Sequence, residues 1–122
     1  MIVVVIDDVQ DLAEILVMLL RAEGYAASYA LSGKSGLAMV SHLGAHAVLL
    51  DYMLPDLNGA EVGLELRRTT GFEGVKILMY TSTPEEVVRP IFDGYDAFLS
   101  KPVLHDRLVR ALDAALTPDD SI

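Results

Sequence analysis

Two adjacent acids, Asp7 and Asp8, close the apolar run "VVVI", with a further acid just beyond at Asp11. Asp51 ends "AVLLD", Thr81 ends "VKILMYT", and Lys101 follows "DAFLS". Unpaired acids side by side at the mouth of an apolar core repel each other and lose solvation, so something must offset the cost. Three carboxylates gathered in one crevice would bind a hard cation through oxygen. Mg²⁺ suits such a site because it keeps several waters and needs only a carboxylate or two. The remaining groups suggest a use for the ion. A lone carboxylate can attack phosphorus to give an aspartyl phosphate, and the charge growing on the phosphoryl oxygens must then be neutralised. Asp51, alone at its strand end, is the natural nucleophile, with Asp7 and Asp8 holding the ion. Lys101 supplies a cationic donor and Thr81 a hydroxyl donor.

These residues can meet only if the runs that carry them are neighbouring parallel strands. Ile2 to Ile6 is β-branched and apolar on both faces, as in a strand covered on each side. Leu12, Ile15, Leu16, Leu19 and Leu20 fall at helical spacing before Gly24, which predicts a helix over most of Asp11 to Glu23 with these residues as its apolar stripe. Tyr25 to Tyr29 reads as a short strand, Ser35 to Leu43 as a helix ended near Gly44, and Ala47 to Asp51 as a second buried strand. "LPDLNG" is turn-forming, with Asp56 and Asn58 read as turn formers, and Ala60 to Thr70 is helical. Pro84 suits the first turn of a helix to Phe92, in which Glu85 and Glu86 are dipole-favourable acids. The strand from Asp96 is stopped by Pro102, and Leu104, Leu108, Leu112 and Ala115 make the stripe of a closing helix. Five strands alternating with five helices predict a doubly wound parallel sheet, with ligands at the carboxyl ends of its strands.

The 122 residues, 52% hydrophobic, suffice for one domain, placed at 1–118 with a polar tail at 119–122. No apolar run reaches the roughly 18 residues of a membrane span, and no basic segment precedes an apolar one as in a secretory signal. The absence of cysteine excludes disulfides and thiolate metal sites and is compatible with the cytoplasm. A formal charge of −9 repels phosphate backbones and argues against direct nucleic-acid binding. His42 and His46 are four apart, a metal-like spacing, but Gly44 between them breaks the helix; both are expected at the surface, as is His105.

In order and spacing, "VVVIDD", "VLLDYMLPDLNG", "ILMYTS" and "FLSKP" resemble the signature of the response-regulator receiver domain of two-component signalling, from Ile2 to about Leu116. The resemblance implies a flavodoxin-like fold and phosphorylation of Asp51 by a phosphohistidine on a sensor histidine kinase or histidine phosphotransfer protein. It implies Mg²⁺ held by Asp8, Asp51 and the backbone carbonyl of Met53, with Asp7 acting through a metal-bound water. Lys101 would contact the phosphoryl group, Thr81 and Phe98 would form a switch pair, and Lys101–Pro102 would be a cis peptide.

Three other functions compete. A Mg²⁺-dependent phosphatase of the haloacid dehalogenase type would need a general acid two residues after its nucleophile, where this chain has Met53 after Asp51, and Val9 and Gln10 after the first acids. The expectation is therefore a signalling domain, not an enzyme. A phosphorylation-independent adapter predicts decay of the acids or the lysine, which are all present. A flavin carrier wants hydroxyls and glycines after the first strand, where this chain has acids. The short tail "TPDDSI" suggests a single-domain regulator that docks to a partner. Only 19 residues separate Thr81 from Lys101. Together with Pro90, this predicts a short, kinked and mobile fourth helix, and a protein that stays monomeric.

Overall fold

The computed structural model describes residues 1–118; the polar tail expected at 119–122 lies outside the described residues. Strands β1 (Ile2–Ile6), β2 (Ala26–Ala30), β3 (Ala47–Leu50), β4 (Lys76–Thr81) and β5 (Ala97–Ser100) alternate with helices α1 (Gln10–Ala22), α2 (Gly33–Leu43), α3 (Gly59–Arg68), α4 (Glu85–Val88) and α5 (His105–Leu116). All strand pairs are parallel and the order is β2-β1-β3-β4-β5. The order reverses beside β1, so the crevice lies over the carboxyl ends of β1 and β3, where Asp7 and Asp51 stand.

The sheet separates two cores. Val3, Val5, Ala47, Leu49, Leu78, Tyr80 and Leu99 face α1 and α5, whereas Val4, Ile6, Val48, Leu50, Ile77 and Met79 face α2, α3 and α4. Both faces of β1, β3 and β4 are covered, which is why those runs are continuously apolar instead of alternating.

Local chemistry explains the ends of α2 and the start of α3. Ser32 caps α2 by accepting the Ser35 N–H, so that helix begins two residues before its expected start. Its end falls where predicted, at Gly44, in the left-handed region at φ 67°. Asn58 and Glu61 form a reciprocal capping box on α3.

Two expectations need correction. The buried stripe of α1 is Ala13, Leu16, Val17 and Leu20, while Ile15 is exposed, because the helix packs one residue round from the predicted face. Leu104 precedes α5 and is 80% exposed, leaving Leu108 and Leu112 as the anchors. Helix α4 is a single turn that stops at Val88, short of the Phe92 limit and in keeping with the short helix expected from Pro90. Pro90 cannot donate to a continuing ladder, and the backbone beyond Val88 passes through Arg89 into turns held by the Phe92 N–H on Val88 O, 2.9 Å. Phe92 itself is buried, with its ring against Gly63 and Gly94, where a Cβ would come within 2.4 Å and 2.8 Å of it.

Candidate functional site

Strand parity assembles the site. Ile6 pairs with Leu50, and the ladder continues through the Asp51 N–H to Ile6 O at 3.0 Å, so Asp7 and Asp51 emerge side by side. Side chains alternate faces along a strand. Asp7 follows Val3 and Val5, Asp51 follows Ala47 and Leu49, and Lys101 follows Leu99, so all three project on the α1/α5 side. Thr81 follows Ile77 and Met79 on the opposite side, where Phe98 pairs with Met79 and is therefore the diagonal neighbour of Thr81. The chain thus sorts its charged groups to one face of the strand ends and the hydroxyl and aromatic to the other.

Among the described residues, Asp7, Asp8 and Asp51 each offer a carboxylate oxygen within 4.8 Å of the others. Asp7 and Asp51 are buried, at 1% and 7% exposure, and Asp8 faces solvent. Asp7 accepts the Val9 N–H at 2.9 Å, and the Met53 N–H approaches Asp51 Oδ1 at 3.4 Å. The Lys101 ammonium donates to Asp7 Oδ2 at 2.7 Å and to Asp51 Oδ2 at 3.0 Å. Burial opposes the charge on Lys101, but hydrogen bonds to Asp7 and Asp51 outweigh it and raise its pKa. The lysine is therefore a fixed cation against both buried acids. Thr81 is fully buried and accepts the Thr83 N–H at 3.2 Å, and the Lys101 N–H bonds Thr81 O at 2.9 Å. The Lys101–Pro102 peptide is cis.

The loop after Asp51 is held closely. Gly59 donates to Tyr52 O at 2.8 Å, and a Cβ on Gly59 would meet Asp51 O at 2.4 Å, so only glycine lets α3 begin this near the acid. Asp56 does more than form a turn. Its carboxylate reaches across to α2 and accepts the Gly33 and Lys34 N–H groups at 2.8 and 2.9 Å. Hydrogen bonds from Lys34, then Leu57 and Gly33, hold its carboxyl at about 2. Arg67 on α3 likewise binds Val75 O, Gly94 O and Asp96, fastening the chain on either side of β4 and before β5. Neither role has a local sequence signal, because each partner lies on another element.

Tyr80 is a further residue that sequence reasoning missed. Its ring lies beneath Lys101, with Nζ 5.2 Å from the ring centroid. The histidines take no part in the site: His42 sits on α2, His46 accepts the Ile2 N–H at 2.9 Å, and His105 pairs with Glu23 at 3.2 Å. His42 and His46 are exposed as expected, whereas His105 is half-buried.

Residues 3–113 match the response regulator receiver domain family. The chain belongs to that family. It is 36% identical over 118 residues to the DNA-binding response regulator MtrA of Mycobacterium tuberculosis, covering 97% of this chain and 51% of that protein. It is 34% identical over 116 residues to the sensory transduction protein RegX3 of the same organism, covering 93% and 50%. The chain therefore spans about half the length of the curated relatives it matches. Among solved structures it is similar to the response regulator TrrA of Thermotoga maritima in complex with Mg²⁺ and BeF, with a TM-score of 0.85, 25% identity, and coverage of 94% of this chain and 98% of that one. A CheY-like receiver domain protein from Methanospirillum hungatei gives 0.83 and 25%, with coverage of 93% and 90%. The predicted sheet and family are thus borne out. Among the described residues, no helix is long and apolar enough to cross a membrane.

Proposed function

We propose that Asp51 is a phosphoacceptor, taking a phosphoryl group from a phosphohistidine on a sensor histidine kinase or histidine phosphotransfer protein in the cytoplasm. The supporting observation is the cluster of Asp7, Asp8 and Asp51 oxygens within 4.8 Å, with Lys101 already on Asp51. An Asp51 oxygen attacks phosphorus as the bond from phosphorus to the imidazole nitrogen breaks, and the nitrogen leaves with the electron pair. Lys101 passes from the carboxylates to a phosphoryl oxygen, and the Thr81 hydroxyl donates to another.

The three carboxylates are hard oxygen donors that fit Mg²⁺. Asp8, Asp51 and the Met53 carbonyl would hold the ion, with Asp7 reaching it through water. An ion held there would supply positive charge to the phosphoryl oxygens. Movement of Thr81 toward the acid empties space beside Phe98, its diagonal neighbour, and the ring turns inward; that rearrangement signals to a partner. The domain works as a monomer and turns over no substrate beyond its own acyl phosphate. DNA binding, which the name of the MtrA relative carries, is not proposed for these residues, whose charge is −9.

Acetyl phosphate with Mg²⁺ should add one phosphoryl group, seen by intact mass, and Asp51→Asn should abolish it. Labelling that persists in Asp51→Asn, or that needs no divalent ion, would overturn the assignment.

A further inference from the structure

We infer that Tyr80 is a positioning residue for Lys101, its ring carrying the ammonium as that cation leaves the carboxylates for a phosphoryl oxygen on Asp51. The inference rests on the phosphoacceptor reading above and concerns a residue outside the acids, hydroxyl and lysine of that site.

Strand parity brings the two side chains together. Tyr80 pairs with Leu99, and Lys101 lies two residues beyond on the same face, so ring and stem are diagonal neighbours. The ammonium stands 5.2 Å from the ring centroid, inside the ~6 Å range over which an aromatic face attracts a cation. The ring cannot swing away. Tyr80 is 6% exposed and packed in the same core as Leu108 and Leu112 of α5, while Lys101 N–H is tied to Thr81 O.

What the ring adds differs from what the acids add. The bonds from Nζ to Asp7 Oδ2 and Asp51 Oδ2, 2.7 and 3.0 Å, are directional, and the second weakens when Asp51 becomes an acyl phosphate and loses its carboxylate charge. Attraction to an aromatic face is broad and survives a sideways shift of the cation. Lysine is otherwise a point charge on a flexible four-carbon stem, with much rotamer freedom to lose when it re-docks. A fixed ring beneath it keeps the ammonium within reach of the phosphoryl group throughout. The hydroxyl of Tyr80 has no part in this, so phenylalanine should serve as well as tyrosine.

Three measurements test the inference. In metal-free protein, the Lys101 ε-methylene protons should show an upfield ring-current shift in wild type and Tyr80→Phe that disappears in Tyr80→Leu. At saturating Mg²⁺, acetyl phosphate should label Tyr80→Leu about fivefold more slowly than wild type, the cost of ordering one rotamer-rich side chain that the ring no longer holds in place. Tyr80→Phe should restore the rate, and the Mg²⁺ midpoint should be the same in all three proteins. In a Lys101→Ala background, Tyr80→Leu should slow labelling no further. Tyr80→Met, closer in length to the native side chain, stands in if the leucine variant fails to fold. Equal rates for wild type and Tyr80→Leu, or the same slowing with and without Lys101, would overturn the positioning role. A wild type that is not labelled at all would instead overturn the phosphoacceptor reading, and this inference with it.

Discussion

Lys101 Nζ lies 3.0 Å from Asp51 Oδ2, so the carboxylate that we propose is phosphorylated is already paired with an internal cation. The same ammonium holds Asp7, and burial of both acids beneath a half-buried lysine makes the arrangement interdependent. Removing one partner strands charge in the core, whereas supplying a different cation can replace it.

Lys101→Met should therefore destabilise the metal-free protein by about 3 kcal/mol, since it leaves two buried carboxylates without their partner. Mg²⁺ should return more stability to the variant than to wild type, because no ammonium competes for the acids. The sign with pH is set by the raised pKa of Lys101: its contribution is complete below the ordinary 10.5 and is lost as pH rises through the higher folded-state value. Urea unfolding with and without Mg²⁺ measures both effects. A variant as stable as wild type without the ion would show that the pairing contributes nothing.

Asp8 is the solvent-facing member of the acid cluster and, in the proposed site, a direct ligand. Asp8→Ala should remove most of the rise in unfolding temperature that Mg²⁺ produces in wild type. Without the ion, the variant should be no less stable than wild type, because one of three crowded like charges is gone. Calorimetry giving the same Mg²⁺ response in both proteins would exclude direct coordination by Asp8.

Asp56 joins the loop after β3 to the start of α2, and its carboxyl is lowered from 3.8 to about 2 by the N–H groups it accepts. A depressed folded-state pKa means stability that is present above pH 3.8 and drains away as pH falls toward 2. Asp56→Ala should be less stable at neutral pH and should lose less of its remaining stability across that acid window. Denaturation midpoints measured between pH 6 and pH 2, as round values bracketing the shift, decide it; parallel curves for the two proteins would contradict the cap.

Gly63 on α3 faces Phe92, with room for no Cβ: a built one would lie 2.4 Å from the ring. Gly63→Ala should cost about 1–3 kcal/mol as an overpacked contact. Its effect should concentrate on the segment that Phe92 anchors, so amide exchange should accelerate from Glu85 to Phe92 more than in β1 or β3. Uniform acceleration would place the strain elsewhere.

The mobility expected of the fourth helix is addressed by the same exchange experiment in wild type. The single turn of α4 carries few backbone bonds, yet the region is tied down by side chains: Val88 and Phe92 are buried, and Tyr95 donates to Glu85 at 2.5 Å while Glu85 pairs with Arg89 at 2.8 Å. Slow exchange throughout Glu85 to Phe92 would show that these anchors suppress the fraying that so short a helix invites.

By itself the sequence determined the alternation of strands and helices, the doubly wound sheet, and the set of chemistry-bearing residues at strand ends. The reason is local: buried strands are short β-branched runs, helices repeat every three to four residues, and Asp7, Asp8, Asp51, Thr81 and Lys101 each stand where such a run stops. Only the tertiary structure decided which of them share a face. Register between strands far apart in sequence places Tyr80 beneath Lys101 and Phe98 diagonal to Thr81, and it comes from pairing and packing across the sheet, not from any one segment. The cap that Asp56 puts on α2 and the outward turn of Ile15 belong to the same class. Each depends on a partner supplied by another element, and a side chain's own neighbours in the chain carry no record of that partner.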